Sequence, residues 1–275
     1  MINILLSTYN GERYLQEQLD SILAQTYTDW HLYVRDDGSK DATCHILESY
    51  AKKDARITIV QNGMNLGAKR SFMHLLESYG EADYMAFADQ DDVWDANKLE
   101  VCLKAIQEAE QHFPDKPIIV HTDLRVVDEQ LHMIAPSFWR YCNIRPDLLD
   151  NNIHYMAICT SVTGCTMLIN RAARACAIPM EVTAYMHDLW IAQRTLMAGG
   201  LIVPIYQTTM DYRQHESNVE GATAYSWRST WKQRRKEVEQ VYERAHPTIF
   251  ANKLEFWGWK TIYLFHRLLK PRKHD

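Results

Sequence analysis

Several features that define other classes of protein are scarce or missing in this chain of 275 residues. The 10 Gly and 8 Pro are too few for a collagenous or low-complexity protein. The six cysteines form no Cys-x-x-Cys pair, which argues against a zinc-finger arrangement. Runs of about 18 apolar residues are missing, so we expect no membrane-spanning helix. The net charge of -5 gives no general reason to expect nucleic acid as a partner.

The first ten residues resemble a strand more than a targeting segment. They lack the charged start and the long apolar stretch of a signal peptide. Several cysteines sit within apolar runs, where a reduced thiol behaves as a small hydrophobic group. We therefore expect a protein of the reducing cytoplasm.

Charge and tryptophan are concentrated at the end of the chain. From Ser226 onward there are twelve Lys and Arg against five Asp and Glu, and four of the eight Trp. The pattern from about residue 224 predicts amphipathic helices, interrupted near Pro247. Such a basic tail is typical of a helix on an anionic membrane surface. It is equally compatible with packing on the preceding domain or with an oligomer contact, and both interpretations stay open.

The rest of the chain alternates between strand-like and helix-like patterns. Strands are predicted over residues 2–7, 30–34, 57–60, 84–88, 118–121, 162–169, 201–203 and 206–210. Helices are predicted over residues 14–23, 42–52, 68–78, 96–110 and 187–198. This order predicts an α/β fold with a mainly parallel sheet and helices on both faces.

Ligands of such sheets bind beyond the carboxyl ends of the strands. Four predicted loops lie there, at residues 8–12, 36–39, 61–69 and 89–95. All four are polar and two are strongly acidic, so we expect the functional site at this edge.

The most specific signal is Asp89-Gln90-Asp91-Asp92, directly after an apolar strand. Three carboxylates so close together repel one another unless a cation lies among them. Mg²⁺ and Mn²⁺ prefer such oxygen ligands and often share them with substrate phosphates. The alternative is an acidic turn that caps the next helix, for which Asp95 alone would suffice.

Three further segments carry candidate residues. Asp36 and Asp37 can accept hydrogen bonds from a ribose or base, or form a plain turn with Gly38. Asp188 can serve as a general base, or simply begin a helix in which it follows His187.

Residues 212–215 form the third segment. Arg213 can pair with a diphosphate and His215 can bind a metal, although a lone histidine is more often structural.

In order along residues 2–219, these segments resemble the family-2 glycosyltransferases, which have the GT-A nucleotide-diphospho-sugar transferase fold. The matching pieces are Ser7-Thr8-Tyr9-Asn10-Gly11-Glu12, Asp36-Asp37-Gly38-Ser39, Asn65-Leu66-Gly67, Asp89-Gln90-Asp91-Asp92-Val93-Trp94, Thr163-Gly164-Cys165, His187-Asp188-Leu189-Trp190 and Tyr212-Arg213-Gln214-His215. The fourth and last pieces look most like the bacterial rhamnosyltransferase branch.

By position, the resemblance implies a role for each candidate residue. The nucleotide-sugar pocket would contain Thr8, Tyr9, Glu12, Asp36, Asp37, Lys69, Asp89 and Gln90. Asp91 and His215 would hold Mn²⁺ or Mg²⁺, and Asp188 would be the catalytic base. The acceptor side would contain Gly164, Cys165, His187 and Trp190. The family often has Glu before the base, where this chain has His187.

The resemblance also implies domain limits and a reaction. A catalytic domain would cover residues 1–222, with a nucleotide-sugar half to about 122 and an acceptor half beyond it, followed by the helical tail 223–275. The reaction would be inverting transfer from dTDP-rhamnose or a UDP-hexose to a glycan or lipid-linked glycan.

Three rival classes are weaker. A nucleotidyltransferase would need a Gly-rich basic loop near the first strand, whereas residues 8–12 contain one Gly and no Lys. A metal-dependent hydrolase with two metals would need a denser cluster of His and Asp. A non-catalytic binding protein would need no general base.

Overall fold

The computed structural model describes residues 1–60, 64–182, 184–216, 231–245 and 248–269, with side chains outside 231–237. The domain boundary expected at residue 222 and the helix break expected at Pro247 lie outside the described residues.

Strands and helices alternate through the first half of the chain, as the periodicity predicts. The strands are β1 (Ile2–Thr8), β2 (Trp30–Asp36), β3 (Ile57–Val60), β4 (Tyr84–Ala88), β5 (Val93–Trp94), β6 (Ile118–Val127), β7 (Met133–Ala135), β8 (Met167–Asn170) and β9 (Leu201–Arg213). The helices are α1 (Leu15–Leu23), α2 (Thr43–Lys53), α3 (Ala68–Tyr79), α4 (Lys98–His112), α5 (Phe138–Tyr141), α6 (Pro146–Leu149), α7 (Ile153–Ile158), α8 (Arg171–Ala177), α9 (His187–Met197), α10 (Trp231–Ala245) and α11 (Lys253–Leu269).

The described strands form one sheet in the order β3-β2-β1-β4-β8-β6-β9-β5, with β7 beside β6. β1 pairs in parallel with β2 and β4, β2 with β3, and β6 with β9. β8 is antiparallel to both β4 and β6, so those two strands run in the same direction. Six of the nine strands therefore share one direction, which confirms the mainly parallel α/β fold.

Two apolar layers cover the faces of this sheet. Along β1, Ile4 and Leu6 belong to one buried cluster, whereas Leu5 belongs to the other. This alternation follows from the two-residue period of a strand. Leu5 packs in the layer that contains Phe72 of α3. Each fully buried side chain of this kind stabilises the fold by about 1.5–3 kcal/mol.

Two strand predictions in the second half are wrong. The strand expected over residues 162–169 begins only at Met167, because Gly164–Thr166 form one 3₁₀ turn. Both the backbone N–H and the hydroxyl of Thr166 donate to the carbonyl of Thr163, at 2.9 and 2.7 Å, which closes that turn. The two short strands expected at residues 201–203 and 206–210 are one strand, β9. The register between β6 and β9 shifts between Ile205 and Thr208, so the strand continues through this region.

The C-terminal helices pack against the domain through α7. One cluster joins Ala157 of α7 to Ala245, Phe250 and Phe256, and a second joins Tyr155 to Tyr263. The inner face of α11 therefore packs on the preceding domain, which is one of the alternatives left open for the tail. Among the described helices, none is both long and apolar enough to cross a membrane.

Candidate active site

A cavity of about 940 Å³ lies at the carboxyl ends of β1, β2 and β4. The predicted site residues that line it are Thr8, Tyr9, Asp37, Asp89, Gln90, Asp91, Gly164, His187, Asp188 and Trp190. They come from loops that are distant in sequence, and the parallel sheet gathers them at one edge. The site location expected from strand order therefore coincides with this cavity.

The two carboxylates after β2 hold loops in place. Asp36 accepts hydrogen bonds from the backbone N–H groups of Gly38 and Ser39, at 3.0 and 2.9 Å, and from the hydroxyl of Thr8 at 3.1 Å. It is buried and forms no part of the cavity lining. Its contacts join the end of β1 to the turn after β2.

Asp37 organises the next loop and reaches the cavity. Its carboxylate accepts from the N–H groups of Leu66 and Gly67, both at 2.7 Å, and pairs with the buried Arg35. Gly67 has a φ of 74°, which favours glycine over side chains with a Cβ. The Asn65-Leu66-Gly67 segment is thus shaped around Asp37, and the amide of Asn65 also donates to the Asp37 carbonyl at 2.7 Å.

Gln90 links the loops that follow β1 and β4. Its side-chain oxygen accepts from the Tyr9 N–H at 2.8 Å, and its amide donates to the Tyr9 carbonyl at 3.1 Å. The Tyr9 side chain remains half exposed. Gln90 therefore fixes the backbone beside the predicted nucleotide pocket.

The acidic motif after β4 forms a dense cluster of negative groups. Asp89, the buried Asp92 and the thiol of Cys165 have ligand atoms within 4.8 Å of one another. Burial, followed by the charges of Asp91 and Asp188, raises the pKa of Asp89 to about 7. Burial also raises the pKa of the Cys165 thiol, which makes it a poor ligand for a hard cation.

A buried lysine lies beside this cluster. The ammonium group of Lys98 donates to the Cys165 carbonyl at 2.8 Å and contacts the sulfur of Met210 at 3.2 Å. Burial, and after it the charges of Asp91 and Asp188, keep the pKa of Asp89 raised despite Lys98. A divalent cation at the cavity side would relieve the repulsion among these carboxylates, so the carboxylates fit such an ion.

Asp91 and His215 are in contact beside the cavity. The two side chains are mostly buried, and Nε2 of His215 lies 2.8 Å from Oδ2 of Asp91. One carboxylate and one imidazole at this spacing could both bind a Mn²⁺ or Mg²⁺ ion. Asp91 lines the cavity, while His215 lies behind it.

Arg213 is unsuited to a diphosphate in this structure. It is buried, and it donates to the carbonyls of Asp91 and Glu129 at 2.9 and 2.6 Å and pairs with Glu17. Its guanidinium therefore holds the loop that carries Asp91.

Asp188 lies in the first turn of α9 and lines the cavity. Its Oδ2 accepts from the Gly164 N–H at 3.1 Å, and its Oδ1 accepts from the Leu189 N–H at 2.7 Å. Both contacts come from backbone N–H groups, and they orient the Asp188 carboxylate. Within the described region no side chain donates to it, so lone pairs on its oxygens are available to an incoming hydroxyl.

His187 is buried beside Asp188 in an aromatic setting. Its ring stacks on Phe72 at a centroid distance of 4.3 Å, and neither ring nitrogen has a partner among the described residues. Burial lowers the pKa of His187, so the ring is neutral at pH 7. A Cβ placed on Gly164 would lie 2.7 Å from Nε2 of His187, so glycine permits this approach.

Several predicted residues lie outside the cavity lining. The carboxylate of Glu12 accepts from the Ala42 N–H at 2.8 Å, at the beginning of α2. The ammonium of Lys69 donates to the Ala184 carbonyl at 2.6 Å and so joins α3 to the segment before α9. Trp190 does line the cavity, but its indole N–H donates to the Ala177 carbonyl at 2.7 Å. The site roles of these residues remain predictions.

The tail supplies one wall of the cavity that no sequence motif predicts. Val241, Arg244 and Ile249 line the cavity together with Tyr185, and the Arg244 guanidinium lies 3.5 Å from the centre of the Tyr185 ring. These residues belong to no motif, and they are brought to the site by the packing of α10 on α7.

With this geometry in place, comparison with known proteins defines the class. Residues 3–172 match Glycosyl transferase family 2, so the chain belongs to the family-2 glycosyltransferases.

Three curated relatives show the range of the family. TuaG of Bacillus subtilis (strain 168), a putative teichuronic acid biosynthesis glycosyltransferase, is 27% identical over 88% of this chain and 90% of its own length. WfgD of Escherichia coli, a UDP-Glc:alpha-D-GlcNAc-diphosphoundecaprenol beta-1,3-glucosyltransferase, is 36% identical over 37% of this chain and 39% of its own. The dTDP-rhamnosyl transferase RfbG of Shigella flexneri is 36% identical over 37% of this chain and 36% of its own. Two further relatives are matched over 57% and 44% of their length, so the chain spans about half of several proteins that it resembles.

Solved structures show the same fold. S. aureus TarS 1-349 in complex with UDP aligns over 99% of this chain and 73% of its own, with a TM-score of 0.60 and 17% identity. The mannosyltransferase PcManGT from Pyrobaculum calidifontis, solved with GDP-Man and Mn2+, aligns over 98% and 76%, with a TM-score of 0.60 and 15% identity. These likenesses confirm the GT-A fold.

Proposed function

We propose that the protein is an inverting, metal-dependent hexosyltransferase that uses a nucleoside-diphosphate sugar. One observation carries this proposal: Asp188 lines the same cavity as Asp89 and Asp91, at the carboxyl ends of the parallel strands. A base and a cation-binding acidic pair in one cavity suit sugar transfer, whereas binding alone would need no base.

Asp188 is the base in this proposal. Its carboxylate takes the proton from an acceptor hydroxyl while that oxygen attacks the anomeric carbon. The bond from the anomeric carbon to the diphosphate breaks, and its electron pair stays on the departing phosphate oxygen. Attack opposite to the leaving group inverts the configuration. The Gly164 N–H, at 3.1 Å from Oδ2, keeps the base oriented.

Asp91 and His215, with Asp89 beside them, are the residues that would hold Mn²⁺ or Mg²⁺. When bound, the ion would neutralise the charge that develops on the diphosphate. Thr8, Tyr9 and Asp37 lie along the cavity wall where the nucleoside would bind.

For the donor, we favour dTDP-rhamnose. The forms of the Asp89–Trp94 and Tyr212–His215 segments support it, as does the similarity to a dTDP-rhamnosyl transferase. The alternative is a UDP-hexose, which the similarity to a UDP-glucose-dependent relative supports.

For the acceptor, we propose a glycan or lipid-linked glycan used in bacterial surface polysaccharide synthesis. The similarity to TuaG over most of both chains supports this class. All six cysteines are free, which supports an action on the reducing, cytoplasmic side.

A thermal-shift panel tests the proposal. The protein is heated with dTDP, UDP, GDP or CDP, each with and without Mn²⁺. We expect one nucleotide to raise the melting temperature, and to do so only with Mn²⁺, because a ligand that binds only the folded state stabilises it, by an amount that grows with the ratio of ligand concentration to Kd. Asp91→Ala should abolish that shift. The absence of a metal-dependent shift with all four nucleotides would overturn the proposed donor site.

A further inference from the structure

The two faces of α11 have different surroundings. On the inner face, Phe256 and Tyr263 are buried, and the Trp259 ring stacks on His154 with centroids 4.1 Å apart. The hydroxyl of Tyr155 lies 2.7 Å from Nδ1 of His266. These contacts anchor the helix firmly to α7.

The outer face of α11 is apolar and exposed. Leu254, Phe265 and Leu268 are 86%, 60% and 78% exposed. With them lie Trp257, Leu264 and Leu269, all exposed. Positions 254, 257, 261, 264, 265 and 268 recur every three or four residues, so they share one side of the helix. Exposed apolar surface of this extent marks a contact with another phase or another molecule.

One edge of this apolar face carries positive charge. Lys253, Lys260 and Arg267 are spaced seven residues apart, which places them in a row along the helix, and the first of them also pairs with Glu239 at 3.3 Å. Lys270, Arg272 and Lys273 follow in the sequence. The carboxylate of Glu255 is engaged by the Ala251 N–H at 2.8 Å. An apolar face beside a row of cations is complementary to an anionic bilayer, whose headgroups attract the cations while its acyl region accepts the apolar side chains.

We infer that α11 docks on an anionic lipid bilayer, lying in the plane of the membrane with its outer face in the headgroup region. The helix has 17 residues and is about 25 Å long. Because it lies in the membrane plane, both the row of cations and Trp257 lie at headgroup depth.

Docking would also bring the cavity to the membrane. Val241 and Arg244 of α10, and Thr248 and Ile249 that follow it, line the cavity. The clusters that hold α11 also contain Phe250 and Ala245, so the docked helix and this wall are one packed unit. A membrane-borne acceptor would therefore meet the same wall that faces Asp188. This last step rests on the proposed function, whereas docking itself does not.

Vesicle co-sedimentation of the full chain tests the inference. Vesicles of phosphatidylcholine alone are compared with vesicles containing phosphatidylglycerol, at low and high salt. We expect binding to the anionic vesicles that weakens as salt rises, because salt screens the attraction.

Three variants and one control sharpen the test. Phe265→Glu combined with Leu268→Glu should weaken binding at least about tenfold, since both side chains lose their place in the bilayer. Lys260→Gln and Arg267→Gln should each weaken binding to anionic vesicles by about fivefold. The control combines Phe113→Glu and Met133→Glu, two exposed apolar residues outside α11, and should bind like the parent.

Sedimentation velocity without lipid and the thermal shift with nucleotide and Mn²⁺ complete the experiment. Equal vesicle binding by the parent and the Phe265→Glu/Leu268→Glu variant would overturn the inference. The inference would also be overturned if the parent does not bind vesicles and sediments as a dimer that the Phe265→Glu/Leu268→Glu variant converts to a monomer. In that case the outer face of α11 contacts a second copy of the chain. Loss of vesicle binding with a retained nucleotide shift is the expected result. Failure of the nucleotide shift in the parent would refute the proposed function and leave the docking result intact.

Discussion

Nε2 of His215 lies 2.8 Å from Oδ2 of Asp91, although 124 residues separate them in the chain. β9 carries His215 to the loop after β4, because β9 pairs with β5, which directly follows that loop. The contact supports the proposed role of His215, together with Asp91, in holding a divalent ion.

We predict that His215→Ala weakens Mn²⁺ binding roughly tenfold or more, since metal sites lose at least that much when an orienting or ligating partner is removed. Isothermal titration with Mn²⁺ would measure the change. His132→Ala is the matched control, because the His132 ring also lies 3.1 Å from a carboxylate, that of Asp128, but is 80% exposed. Unchanged Mn²⁺ affinity in His215→Ala would remove this histidine from the metal site.

A second prediction concerns Asp188. Asp188→Asn should lower sugar transfer by about 10²–10⁴-fold, the usual contribution of a general base. The amide oxygen can accept from either the Gly164 or the Leu189 N–H, so one of the two backbone contacts is lost, while the fold and donor binding should be retained. Release of nucleoside diphosphate measures transfer, and the thermal shift with Mn²⁺ measures donor binding. Transfer at the parental rate would exclude Asp188 as the base.

Much of this site could be predicted because its residues follow strands. Asp37, Asp89 and Asp91 stand directly after apolar runs, and parallel strands bring their carboxyl ends to one edge. The tail residue Arg244 lacks such a signal, since it reaches the cavity through packing between helices. Likewise, the run around Gly164 has strand-forming composition, and its turn depends on contacts with Thr163 and Asp188 that no local pattern reveals.

The structure also separates residues that the sequence places together. Asp36 and Asp37 are neighbours, yet Asp36 accepts from its own turn whereas Asp37 holds the next loop. Which carboxylate faces the cavity depends on strand pleat and loop geometry, which are tertiary properties.

A third prediction tests the close approach of Gly164 to His187. An added Cβ would lie 2.7 Å from Nε2 and 3.1 Å from Cε1 of the ring, so Gly164→Ala must push His187 and the adjoining Asp188 away. We expect a loss of about 1–3 kcal/mol in the free energy of unfolding, typical of overpacking, and reduced transfer.

A double-mutant cycle supplies the control for this clash. His187→Ala removes the ring that the new methyl group meets, so Gly164→Ala should cost less stability in that background. We expect a coupling energy of about 1 kcal/mol or more from urea unfolding. Strictly additive effects would show that the two residues do not interact in this way.

The last prediction uses the charge state of His187. Burial lowers the pKa of this histidine in the folded protein, and neither ring nitrogen has a partner in the described region. The unfolded chain, with a histidine pKa of about 6.5, therefore binds more protons than the folded one below that pH. The contribution of neutral His187 to stability is complete above about pH 6.5 and is lost progressively as the pH falls, by at most about 1.4 kcal/mol per pH unit. His31 and His154 also have pKa values lowered by burial, whereas the raised pKa of Asp89, about 7, makes that carboxyl stabilise the fold as the pH falls, so the pH dependence of the whole protein sums opposing contributions. The informative quantity is thus the difference between the parent and His187→Ala in urea unfolding between pH 5 and pH 8. We expect the variant to lose less stability as the pH falls, and parallel curves would mean that His187 is not held neutral by its burial.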